Sequence, residues 1–172
     1  METPISLSAV KELFDYAYWA RDRQLEACSV LTQDQLLQTL GGSFSCLRDT
    51  LAHCVNVEWL WLERWHGRTP ASIPPADSVP TLASIKQKWL DTERGMRAFL
   101  SGLDDAAMAR VMTCTGTRGN VWTHPLWKFL MHFLNHQSYH RGQVTFMLRQ
   151  FGIKPPAVDY LYGLDAGFKR PG

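Results

Sequence analysis

The chain reads as an all-α protein: a four-helix bundle with a short hairpin-like excursion between its third and fourth helices. Three observations predict this. Four long segments repeat apolar residues at helical spacing, glycines and prolines punctuate the gaps, and no internal repeat or low-complexity stretch points to another architecture. A length of 172 residues, 45% of them hydrophobic and seven of them tryptophan, suits a single domain over 1–172 with a substantial core.

Residues 7–29 carry Val10, Leu13, Phe14, Ala17, Tyr18 and Leu25 with Asp and Arg between them, which predicts a first amphipathic helix. Thr32 and Gln35 form a capping-box pattern for a short helical turn that Gly41 and Gly42 end. Ser45 is the expected N-cap of the second long helix, which runs to about His66, where Gly67 supplies a left-handed stop and Pro70 prevents continuation. This helix is apolar around most of its circumference. Residues such as Leu47, Leu51, Val55, Trp61 and Trp65 leave only a narrow polar strip with Asn56 and Glu63, so the helix is either central or partly covered by a second subunit.

The stretch TPASIPPADSVP follows, and its four prolines favour extended backbone over a folded element. Thr81 then caps a third helix with Leu82, Ile85, Trp89, Met96, Phe99 and Leu100 on its buried stripe, closed by Gly102. Between 107 and 122, Val111 and Val121 flank TCTGTRGN, whose turn chemistry suggests a hairpin. The fourth helix is expected from near Thr123, with Pro125 in its first turn, to about Gly152, before Pro155 and Pro156. The remaining tail from Ala157 has Tyr160, Leu161 and Tyr162 with which to dock.

Charge excludes several partners. Eighteen basic and sixteen acidic residues give +2, and the basic residues are scattered rather than gathered in a stripe, so neither nucleic acid nor a membrane surface is expected. The start METPISLSAVKEL lacks a basic-then-apolar leader pattern and no stretch suits a bilayer span, so a cytoplasmic location is expected. Cys28, Cys46, Cys54 and Cys114 show no C-x-x-C spacing and read as reduced structural thiols, with Cys54 notable for following His53.

The most informative segment is LMHFLNHQSYHRGQV, in which His132, His136 and His140 recur four residues apart. Residues so spaced on a helix stack on one face, and imidazole is the commonest metal ligand among side chains. At about 100° per residue, His136 falls in the middle of an apolar stripe with His140, Phe129, Phe133, Val144 and Met147. His132 and Gln143 sit at its edge, about 60° to 80° away from His140. Two imidazoles inside an apolar stripe each need a partner, which points to a chelating pair, His136 and His140.

A pair holds a metal weakly, so a third donor from a neighbouring helix is required, and His53 on the apolar second helix is the candidate. Asp49, one turn earlier, can orient His53 through its second ring nitrogen, or simply complement the helix dipole. His132 could replace His136 as a ligand by geometry alone, but its place at the stripe's edge favours a supporting or packing role, and Gln143 is placed for supporting the ligands or contacting substrate. His66 and His124 have ordinary structural explanations at helix ends. Glu58 points about 140° from His53 and reads as a structural hydrogen-bonding group.

These residues resemble the DinB family of small metal-dependent proteins, sometimes called DinB/YfiT-like, over nearly the whole chain. The resemblance lies in LFDYAYWARDRQLEA, SFSCLRDTLAHCVNVEWLWLERWHG and, most specifically, HFLNHQSYHRGQV. It implies a four-helix bundle, usually dimeric, with a divalent metal held by one histidine of the second helix and an H-x-x-x-H pair of the last, matching His53, His136 and His140 here. The similarly named translesion DNA polymerase is far longer and depends on clustered carboxylates, so polymerisation is not implied.

Family members with known chemistry are thiol-dependent, and relatives include mycothiol-dependent maleylpyruvate isomerase and bacillithiol S-transferases. Three imidazoles leave coordination positions for water or a thiol, and they suit zinc or nickel, with iron or manganese as further options. The expected activity is therefore a metal-dependent thiol S-transferase or hydrolase acting on a small electrophile in stress or detoxification, in a homodimer. The alternative is a non-catalytic metal- or ligand-binding stress-response dimer.

Overall fold

The computed structural model describes residues 5–169; the first four residues and the last three of the expected domain and tail lie outside the described residues. In chain order the elements are α1 (Leu7–Cys28), α2 (Gln33–Leu37), α3 (Leu47–Trp65), a 3₁₀ turn (Ala76–Ser78), α4 (Leu82–Ser101), α5 (Asp105–Ala109), β1 (Val111–Thr115), β2 (Val121–Pro125), α6 (Leu126–Gln150) and α7 (Tyr160–Asp165). The described residues are mainly helical with one small two-stranded sheet, in agreement with the helical class that periodicity predicts.

Capping chemistry sets most boundaries. The Ser6 side chain accepts from Ala9 N–H at the start of α1, and Thr32 with Gln35 forms the expected capping box on α2. Thr81 and Ser84 form a second such box on α4, and Gly102 closes that helix. Two helix starts differ from expectation. Ser45 does not cap α3: its carbonyl accepts from Leu40 and Gly41, its hydroxyl donates to Asp49, and Cys46 takes the N-cap position without a side-chain bond. Pro125 likewise ends a strand instead of lying inside a helix, because Val111 pairs with Pro125 and Leu126 N–H donates to the Arg110 carbonyl. The turn between the strands closes through Gly119, whose φ of +81° suits only a residue without Cβ strain.

α3 is the central helix, packing on both α4 and α6, while α1 also packs on α6 and α4. The first of the two explanations for its apolar circumference therefore holds: Trp61, Leu62 and Trp65 are buried within the chain. At Gly95 a Cβ would meet Leu62 Cδ2 at 2.7 Å, so α4 approaches α3 closely there. The proline-rich segment is tied down where Asn56 Nδ2 donates to the Pro74 carbonyl at 2.9 Å. The tail docks through Tyr160, whose ring meets Tyr16 edge-on at 5.1 Å, whereas Leu161 and Tyr162 stay exposed. None of the described helices is long and apolar enough to cross a membrane.

Two apolar clusters fill the interior. One gathers Phe14, Tyr18, Trp61, Trp65, Met96, Phe129 and Phe133; the other gathers Leu25, Leu51, Val55, Ile85, Trp89, Val144 and Met147. Glu58 joins them, accepting from Tyr18 Oη at 2.8 Å and from Trp89 Nε1 at 2.6 Å.

Candidate metal centre

α6 holds His136 and His140 one turn apart, and α3 brings His53 opposite them. The Nε2 atom of His136 lies 3.1 Å from Nε2 of His53 and 3.2 Å from Nε2 of His140. One ligand atom from each of the three falls within 4.8 Å of the other two, so the pair chosen by spacing and the third donor expected from the second long helix do converge. His140 is buried, while His53 and His136 are half-buried.

Protonation of the cluster is constrained. His140 Nδ1 lies 2.8 Å from Gln143 Oε1, and Gln143 Nε2 donates to Ser43 Oγ at 2.6 Å, so the amide orientation places the His140 proton on Nδ1 and a lone pair on Nε2. His136 Nε2 therefore faces two ring nitrogens, of which a single N–H satisfies only one. Its Nδ1 is buried without a hydrogen-bond partner. Burial first, and then the neighbouring His140, push His53 down to about 4. His136 is pushed down to about 3 by burial and by its three histidine neighbours. Burial also lowers His140, against the opposing effect of the hydrogen bond it donates to Gln143. At neutral pH the cluster is a set of uncharged nitrogen donors.

That donor set fits a divalent transition ion. Two nitrogens bound about 2.0–2.1 Å from zinc lie about 2.9 Å apart at a right angle and about 3.4 Å apart at the tetrahedral angle. The separations of 3.1 and 3.2 Å fall between these limits.

The surroundings come from a loop that sequence reading passed over. Gly41 and Gly42, with φ of +80° and +114°, turn the chain after α2 so that Phe44 lies against His53, ring centroids 4.3 Å apart. Ser43 meets both Gln143 and the Tyr139 hydroxyl. The only sequence signal was the GGSF tetrapeptide itself, which says that the chain turns but not what it turns onto.

The other candidates lie around the cluster or away from it. Asp49 accepts from Arg48 Nε at 2.6 Å and from Ser45, in the first turn of α3 where a carboxylate also complements the dipole. His132 is exposed and packs edge-on against Trp61 at 5.3 Å. Gln143 meets the ligand cluster through His140. His66 Nδ1–H donates to the Leu62 carbonyl at 2.9 Å, an ordinary helix-end role. Cys54, beside His53, is buried, and desolvation pushes its thiol far up.

Known proteins share this arrangement of helices. The DinB family profile matches residues 1–168. "Uncharacterized protein YizA" of Bacillus subtilis is 23% identical over 150 residues, covering 87% of this chain and 92% of that one. "Protein DinB" of the same organism is 22% identical over 154 residues, covering 87% and 90%. The crystal structure of a DinB-like protein from Bacillus cereus superposes with a TM-score of 0.63 at 23% identity, covering 86% of this chain and 95% of that one, which establishes likeness of fold. With the family profile running over almost its entire length, the chain belongs to the DinB family.

Proposed function

We propose that the protein binds one divalent transition metal through His53, His136 and His140 and acts as a metal-dependent thiol S-transferase or hydrolase on a small electrophile, in stress or detoxification. The observation that carries this reading is the convergence of Nε2 atoms at 3.1 and 3.2 Å from two different helices. Zinc or nickel suits the all-imidazole set best, with iron or manganese as further options. When bound, the metal stabilises thiolate or hydroxide at neutral pH.

The chain's own residues do the rest. Gln143 holds the proton of His140 on Nδ1 and keeps its Nε2 free for ligation. Phe44 covers one side of His53 and excludes water there. In this reading the four long helices form a four-helix bundle in one domain, with the centre between α3 and α6. The protein works in the cytoplasm as a homodimer, whose contact is favoured by Phe146, 55% exposed on α6.

A non-catalytic metal- or ligand-binding dimer is the second reading, favoured by one observation. The polar groups next to the centre, Gln143, Ser43 and Tyr139, spend their hydrogen bonds on one another. Elemental analysis of protein purified without a histidine tag tests the centre: His140→Ala should lose stoichiometric metal, and full retention would remove the basis of both readings. Metal-dependent loss of free thiol with bacillithiol, glutathione or mycothiol and an electrophile panel tests catalysis. No thiol consumption, and no hydrolysis of ester or amide probes, would leave the binding dimer.

A further inference from the structure

A groove of about 230 Å³ opens beside the histidine cluster, between the hairpin and α6, lined by Trp61, Trp122, His124, Lys128, Phe129 and His132. Its walls are aromatic: Trp61 lies 5.6 Å from Phe129, and His124 lies 5.9 Å from Phe129 by ring centroids. Trp122 is 39% exposed and is held across the turn at Gly116, where a Cβ would meet its ring at 2.6 Å.

The charge around this groove has one sign. None of the six lining residues is acidic. Arg64 is 7% exposed and lies over the Trp61 ring at 4.9 Å, donating to the Thr115 carbonyl while its Nε is buried without a partner. Among the described residues no carboxylate forms an ion pair with Arg64 or with Lys128. A buried guanidinium without an anion is costly, and an anion brought close to it recovers part of that cost. Flat aromatic walls favour a planar ligand.

We propose that this groove binds a small aromatic carboxylate, with its ring between Trp61, Trp122 and Phe129 and its carboxylate in the positive field of Lys128 and Arg64. His132 connects the groove to the centre, its ring 6.3 Å from that of His136. That the ligand is a substrate rests on the metal reading above; its binding does not.

The test titrates the full-length protein with benzoate and with benzamide, its neutral counterpart, by calorimetry, both as purified and after removal of metal by chelation. Benzoate should saturate both forms, with benzamide about tenfold weaker, equivalent to about 1.4 kcal/mol. Lys128→Gln should weaken benzoate about three- to fivefold and Trp122→Ala about tenfold, magnitudes expected of an exposed charge and a lost aromatic wall. Both side chains are exposed, so circular dichroism should match the parent protein. Equal binding of the two probes, or indifference to both substitutions, would overturn the proposal. So would benzoate binding confined to the metal-loaded form, which would make the carboxylate a metal ligand. Metal content of His140→Ala reports on the centre and benzoate affinity on the groove, so failure of either is read separately.

Discussion

His53 and Glu58 lie five residues apart on α3, and each places a titratable group in the interior, yet their surroundings are opposite. Glu58 is 1% exposed and fully partnered: Tyr18 and Trp89 each donate to one of its oxygens, and Arg21, paired with Glu93 at 2.6 Å, lies over both of those rings. Burial pushes this carboxyl up to about 7, with Arg21 and the two hydrogen bonds pulling the other way. His53 instead meets nitrogens like its own, and His136 beside it has a buried Nδ1 with no partner. An interior polar group completed by the protein secures the fold, whereas imidazoles facing one another leave nitrogen lone pairs to which a metal ion could bind.

The largest effect that tests this contrast is on stability. Glu58→Ala leaves Tyr18 and Trp89 without their acceptor and opens a void, so denaturant unfolding should show a loss of about 3–5 kcal/mol. Metal stoichiometry should stay unchanged. Loss of metal with intact stability would reverse the roles assigned to the two regions.

A smaller effect sharpens the other side. Gln143→Leu removes the acceptor for His140 Nδ1 and should weaken metal binding about 10- to 100-fold in a competition titration with a chelator, while stability changes by less than about 1 kcal/mol. Unchanged affinity would detach Gln143 from the centre.

A third test is in pH. In metal-free protein, His53 and His136 fall from an ordinary 6.5 to about 4 and about 3, so their contribution is full above 6.5 and is lost as pH falls toward those values. Glu58 runs the other way: raised from 4.5 to about 7, its contribution is full below 4.5 and is lost as pH rises through 7. Melting curves should therefore show Glu58→Gln gaining on the parent protein between pH 5 and pH 8, and a constant difference across that range would contradict the raised carboxyl.

Periodicity and caps made the long helices legible, because an apolar stripe and a Thr–Ser or Thr–Gln box act within a few residues of themselves. The start of α6 was not legible, since strand pairing of Thr123 and Pro125 with β1 overrides proline's preference for a first helical turn. The five-residue α5, capped by Asp104, is too short to carry a period and went unread. At the centre, His136 and His140 were legible from one helix's geometry, and His53 from being the one histidine inside the second helix. Phe44 and Ser43 were not, because a loop's contacts are decided by what it happens to cross. Gln143 stood at the stripe's edge, the position from which it reaches the outer nitrogen of His140.

The connection that carries Gly41 to Phe44 belongs to neither of the helices that supply the imidazoles. Lengthening it, or changing the residue at 44, would change what packs against His53 while leaving the helical register untouched. Diversification of what such a scaffold admits therefore has a cheap route, one that leaves the costly interior alone.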